Sequence, residues 1–344
     1  MNKLVCYKKT PDKTNVKPCH HYVPDDSLDM AGYCALPSEF RCIEDVKAKS
    51  LKLSHSAVRD FVTCKRKFYI RYIKGIAQKP HLSSRAIKMG SLWDKMMNET
   101  HSTSRDGFDN KVINDEIHRL RIDNISLAKV RAVKRAYDEL IDPEFNNLIG
   151  TQQELFYQFW DSENQDVFFH GFVDILYIDY FKELKFTGYP ETYTNHPFKI
   201  SSQVGTYFLC DGNLKYVVIE ATQSPNLRLG KYEDVKDYEK RIYKDVMSRP
   251  SYYFTNYDVM KKKFGVVFYR SEFDGFMNSI YERFMWITQE IRESMERNSW
   301  YTNDLACNLF NNDCEYFPIC KNYSEINDID EYVNDEIYEK REIQ

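Results

Sequence analysis

Two strand-like runs limit what this chain can fold into more than any other feature: residues 167–178 and 181–186. Both are apolar and β-branched or aromatic, yet the first carries Asp174 and the second Glu183 and Lys185. A charge inside such a run is costly unless it lies at a strand end or binds something. Period-two geometry sends Glu183 and Lys185 to the same face, and a hairpin would bring Asp174 beside them. Two carboxylates and an ammonium meeting there can hold Mg²⁺ or Mn²⁺, while the lysine orients or helps deprotonate an attacking water. The same pattern also fits a cross-strand salt bridge on a solvated face.

Other residues extend this set. Gln203 and Tyr207 stand at i, i+4 spacing just after the second strand, so one helical face can aim both at the same site. Upstream, the helix of Gly90-Ser-Leu-Trp-Asp94 is expected to begin at a small residue, with Asp94 one turn in. Asp94 is then a third metal ligand or an ordinary first-turn acid.

Along the rest of the chain, Ser54 is expected to cap a helix over 57–72, with further helices at 87–98 and 201–209, one or two over 113–140, and two more at 232–247 and 273–295. Strands are expected at 154–160 and 216–221. This order implies an α+β fold with a central mixed sheet flanked by helices. Residues 1–45 form a separate small module, 46–325 the main domain and 326–344 an acidic tail.

Charge is uneven. From Lys47 to Lys88 there are twelve Lys or Arg and one acid; from Thr302 to the end, three Lys or Arg and eleven acids. The acidic tail is expected to be a solvated face. The basic stretch, interleaved with Phe68, Tyr69 and Tyr72, suits phosphate neutralisation, with Lys65, Arg66 and Lys67 as candidate DNA contacts that could equally flank a metal cluster. No secretory leader or membrane-length apolar run is visible, so a soluble protein of the cytoplasm is expected, a host's cytoplasm if the chain is viral.

Cysteines in such a compartment argue for metal more than for disulfides. Cys307, Cys314 and Cys320 fall within fourteen residues, and four thiolates are needed to close a [4Fe–4S] or zinc site. The N-terminal module holds Cys6, Cys19, Cys34 and Cys42, with His20 and His21 nearby; these fit a zinc site or a set of free thiols. Cys210 is expected in the core.

The chain resembles the RecB-like branch of the PD-(D/E)XK nucleases, including iron–sulfur members related to CRISPR-adaptation nucleases and phage exonucleases. Leu53-Ser-His-Ser-Ala-Val through Cys64-Lys-Arg-Lys-Phe-Tyr is similar to that family's opening helix, Gly171-Phe-Val-Asp174 and Glu183-Leu-Lys185 to its second and third motifs, and Gln203 to Tyr207 to its Q-x-x-x-Y element. The resemblance implies a restriction-endonuclease-like core. It also implies Cys64 as the fourth ligand of a [4Fe–4S] cluster that joins the start and end of the domain. Asp94 stands where the branch usually has histidine, which leaves hard-cation binding possible and alters metal preference. The implied activity is metal-dependent DNA hydrolysis, an exonuclease on single-stranded or frayed ends. The alternatives are a non-catalytic DNA-binding subunit of a recombination, replication or adaptation complex and, more distantly, a redox protein. DNA, DNA-processing proteins or a second copy of the chain are the expected partners.

Overall fold

The computed structural model describes residues 51–102, 110–159, 167–195, 201–309, 312–321 and 326–341, with four short strands nearer the N-terminus. There are two compact units, 1–52 with 158–168 and 53–157 with 169–344. In the smaller unit Cys6–Lys9 pairs antiparallel with Val16–Cys19, Cys6 opposite Cys19, and Tyr22–Val23 pairs with Tyr33–Cys34. The zinc expectation for Cys6, Cys19, Cys34 and Cys42, with His20 and His21, lies outside the described residues, since only backbone pairing is described there.

After β1 (Leu51–Ser54) comes α1 (His55–Thr63), capped as expected by Ser54, whose Oγ accepts the Ala57 N–H at 3.1 Å. The single helix expected over 57–72 instead breaks at Cys64, which is extended; a short turn (Lys65–Phe68) and a wider π turn (Tyr69–Ile73) follow. Distant groups hold the break. Asn303 donates to the Thr63 carbonyl at 2.9 Å, and the Arg66 N–H donates to the Tyr301 carbonyl at 3.2 Å.

Helix α2 spans Arg85–Ser102, and the 113–140 pattern resolves into α3 (Asn110–Leu120) and α4 (Asn124–Leu140). They separate where Arg121 takes a left-handed φ of 46° and Asp123 caps α4 through the Ser126 N–H at 2.9 Å.

The sheet contains β2 (Leu148–Phe159), β3 (Val167–Tyr177), β4 (Tyr180–Thr187), β5 (Tyr216–Gln223) and β6 (Val266–Tyr269), in the order β6–β5–β4–β3–β1 with β2 on β3. The β3–β4 pair is antiparallel, β5 runs parallel to β4, and β6 is antiparallel to β5, which makes the mixed sheet the sequence implies. Strand β6 escaped the sequence reading because four residues with Val267 and Tyr269 exposed carry little pattern.

Three further helices are α5 (Ser202–Cys210), α6 (Val235–Ser248) and α7 (Asp274–Glu296). One face of the sheet is covered by α2, α4 and α6, with Trp93, Tyr137 and Ile242 packed around Leu184 and Phe186. On the other face Phe181 meets Tyr207 and Phe208 of α5 at ring distances of 5.5 Å, and Phe169 meets Phe284 of α7 at 4.7 Å. Helices α5 and α7 touch at Gly205, where an added Cβ would lie 2.3 Å from Ile280 Cδ1. Cys210 is buried, as expected.

The acidic tail is not a solvated appendage. Tyr338–Lys340 pairs antiparallel with Ile76–Gln78, and the buried Tyr338 ring stacks on Tyr316 while its hydroxyl donates to the Glu315 carbonyl at 2.7 Å. Apolar burial of Ile329 and Tyr338 outweighs the repulsion among the acids, one of which, Asp330, lies 3.3 Å from both Lys74 and Lys340. No helix among the described residues is long and apolar enough to cross a membrane.

Candidate active site

Strand alternation puts Glu183 and Lys185 on one face of β4, with Lys185 Nζ 2.6 Å from Glu183 Oε1. Asp174 arrives by a different route. The β3–β4 ladder pairs Leu176 with Phe181 and Ile175 with Lys182. At the next position the Asp174 carboxylate takes over, its Oδ2 accepting the Leu184 backbone N–H at 2.7 Å. A side chain thus satisfies a main-chain donor and fixes Asp174 against β4. Its other oxygen accepts from Gln152 Nε2 at 3.2 Å. Nothing in Gly150-Thr-Gln-Gln-Glu marks Gln152 in the sequence; its signal is a left-handed φ of 48° within β2, visible only in the fold.

Asp94 joins from α2. That helix starts at Arg85 and Gly90 is interior to it, so the expectation of a helix beginning at a small residue is corrected. Asp94 lies beyond the reach of first-turn dipole stabilisation, and the ordinary first-turn explanation lapses.

The electrostatics show that the acids share one space. Burial pushes the Asp94 carboxyl up to about 7, against the pull of Lys185 and with the help of Glu183. Burial and then Glu183 hold Asp174 well above the usual carboxylate range despite Lys185. Burial pulls the Lys185 ammonium down, but Glu183, Asp174 and Asp94 together carry it above the ordinary lysine value. Glu183 Oε2 is buried with no hydrogen-bond partner. An orphan carboxylate oxygen among crowded acids is the chemistry a hard divalent cation completes. As the side chains stand, no group of three or more His, Cys, Asp or Glu among the described residues is arranged to hold a metal ion.

The raised Asp94 has a signed consequence. Between an unfolded value near 4 and the folded value of about 7, the native state keeps a proton that the unfolded chain releases. The Asp94 contribution to stability therefore falls as pH rises through that window. In EDTA, Asp94→Asn is expected to gain melting temperature relative to wild type as pH goes from 4 to 7.5. A constant difference across thermal melts would show that Asp94 is not buried among these charges.

Gln203 and Tyr207 are brought to the site as the sequence predicts. Gln203 Nε2 donates to Glu183 Oε1 at 3.2 Å and to the Tyr207 hydroxyl at 2.9 Å, and that hydroxyl donates to the Phe172 carbonyl at 2.9 Å. Gly171 is required by the same ring: a Cβ there would sit 2.6 Å from Tyr207 Cε1. His170 lies 3.2 Å from Glu154.

Lys65, Arg66 and Lys67 turn inward. Lys65 Nζ is 2.9 Å from Glu290, Arg66 Nε donates to the Trp300 carbonyl at 2.7 Å, and Lys67 lies 3.4 Å from Asp60 and 3.2 Å from Glu315. Their charges tie the turn after Cys64 to α7 and the C-terminal segment.

Cys64, Cys307, Cys314 and Cys320 line one cavity of about 300 Å³. Burial raises the Cys314 and Cys320 thiols, Cys320 to about 12 with Cys314 adding to the effect. Residues 64 and 307–320 of the larger unit thus contribute to one space, although no three of these cysteines stand at metal-binding geometry.

No curated protein matches the chain. A family model for the PD-(D/E)XK nuclease superfamily matches residues 52–186, a span that contains Cys64, Asp94, Asp174, Glu183 and Lys185. Residues 52–186 therefore carry a PD-(D/E)XK nuclease superfamily domain.

Proposed function

We propose that the chain is a Mg²⁺- or Mn²⁺-dependent deoxyribonuclease, an exonuclease acting on single-stranded or frayed DNA ends. The observation that carries this reading is the convergence of Asp94, Asp174 and Glu183 around Lys185, with one Glu183 oxygen left unpartnered. Those three acids would hold the cation, which when bound supplies Lewis acidity toward phosphoryl oxygens. Lys185, kept protonated by its acidic neighbours, offsets charge on the phosphate and orients the attacking water rather than removing its proton. Gln203 steadies Glu183, and Tyr207 fixes Gln203. Gln152 and the Leu184 N–H keep Asp174 aimed.

Digestion of 5′- and 3′-labelled single-stranded and duplex DNA tests this. Shortening from one end with Mg²⁺ or Mn²⁺, and none in EDTA, is the expected result. DNA that is bound but stays intact with every divalent ion would instead favour the second reading, a DNA-binding subunit of a larger complex, toward which Asp94 in place of histidine points.

The reading also assigns a [4Fe–4S] cluster to Cys64, Cys307, Cys314 and Cys320, supported by their shared cavity. The cluster would clamp the break after α1 to the C-terminal segment. Anaerobically purified protein should be brown and carry about four irons per chain, and Cys320→Ser should lose both. A folded, iron-free wild type would remove the cluster.

A further inference from the structure

The cavity between α1, α5 and α7 takes no part in the chemistry at Lys185. It measures about 200 Å³, and its floor is apolar, formed by the buried side chains of Val58, Ile280 and Phe284. Arg59 of α1 and Arg283 of α7 also line it, both exposed, and no ion-pair partner for either is found among the described residues. That sets them apart from Lys65 and Lys67, whose charges are matched internally. Between the arginines, His55 Nε2 lies 2.6 Å from Ser202 Oγ. Burial, followed by Arg59 and Arg283, pushes the His55 imidazole down to about 4, so the ring is neutral at physiological pH and both guanidinium charges are felt in this space.

Consecutive residues of α5 serve the cavity and the acidic cluster. Ser202 lines the cavity, and the next residue, Gln203, donates to Glu183 Oε1. Ser201 makes no side-chain cap at the start of α5.

We infer that this cavity binds a phosphate group of a nucleic-acid strand, gripped by Arg59 and Arg283 with Ser202 as a neutral donor. Planar guanidinium forks match phosphate oxygens bidentately. The volume is below the roughly 300–1,000 Å³ of sites that enclose whole drug-sized ligands, and suits a phosphate group rather than a base. The inference rests on the nuclease reading and adds to it a grip on the strand beside the reacting centre.

The test uses the full chain and a short fluorescent DNA strand in EDTA, with binding followed by anisotropy across a salt series. Arg59→Ala/Arg283→Ala is expected to weaken binding on the order of tenfold. It should also lower the slope of log K against log salt by about 0.7, the equivalent of one single-strand phosphate. Lys240→Ala/Arg249→Ala, which removes one charge from α6 and one from the residue that follows it, should leave both quantities unchanged. Strands ending in 5′-phosphate, 3′-phosphate or hydroxyl separate the sources: a loss confined to one phosphorylated end identifies a terminal phosphate, and an equal loss on all identifies an internal one. Unchanged affinity and slope in the folded arginine double variant would overturn the site.

Cleavage in Mg²⁺ is read separately, so a wild type that cleaves beside an unaffected double variant sinks the phosphate site alone. Should the chain neither cleave nor bind DNA, the nuclease reading fails. The cavity is then judged by inorganic phosphate, which should raise the wild-type melting temperature and not that of the double variant; no rise in wild type would overturn the site.

Discussion

Lys185→Ala is expected to lower DNA cleavage by about a thousandfold, within the roughly 10²–10⁴ that a positioned charge or proton-handling group contributes. The ammonium lies 2.6 Å from Glu183 Oε1 and feels Asp174 and Asp94 as well. It is the cation that remains when the three acids are committed to a metal. Its removal leaves buried carboxylates less compensated, so melting should be compared in the presence of Mg²⁺, where the divalent charge takes up that role. Lys185→Met keeps the packing of the stem and should lose cleavage to the same degree; a merely structural lysine would tolerate it. Wild-type rates in either folded variant would remove Lys185 from the chemistry, and the nuclease reading of the cluster with it.

The largest stability effect is expected on the opposite face of β4, where it meets β5. Lys182 Nζ lies 2.6 Å from Glu220 Oε1, both side chains less than a tenth exposed. The parallel register sets Leu184 beside Glu220 and Lys185 beside Ala221, so this pair faces away from Glu183. Glu220→Ala strands a buried ammonium and should cost about 3–5 kcal/mol. At roughly 2–4 °C per kcal/mol, the melting temperature should fall by about 10 °C. Lys182→Met/Glu220→Leu removes both charges and should recover most of that loss, because desolvating the pair is itself expensive. Cleavage per folded molecule should stay unchanged in both variants. A Glu220→Ala protein with normal melting but weakened cleavage would instead make this pair part of the reaction. Glu220 is no sheet-edge acid, because β5 lies between β4 and β6.

What the sequence by itself determined is local. Alternation in 181–186 puts Glu183 and Lys185 on one face, i, i+4 spacing brings Gln203 to Tyr207, and Ser54 caps α1. Each depends on neighbours a few residues away, and backbone geometry alone translates it into space. What only the tertiary structure decided is partnership across the chain. Asp174 takes the Leu184 N–H where the ladder stops, and Gln152 joins it from β2. Lys65 finds Glu290, the 57–72 helix breaks at Cys64 under contacts from 301 and 303, and the acidic tail becomes a strand against 76–78. A charge run looks the same in sequence whether solvent or a buried acid receives it. The difference is set by desolvation and by partners more than two hundred residues away, and these exist only once the chain has folded.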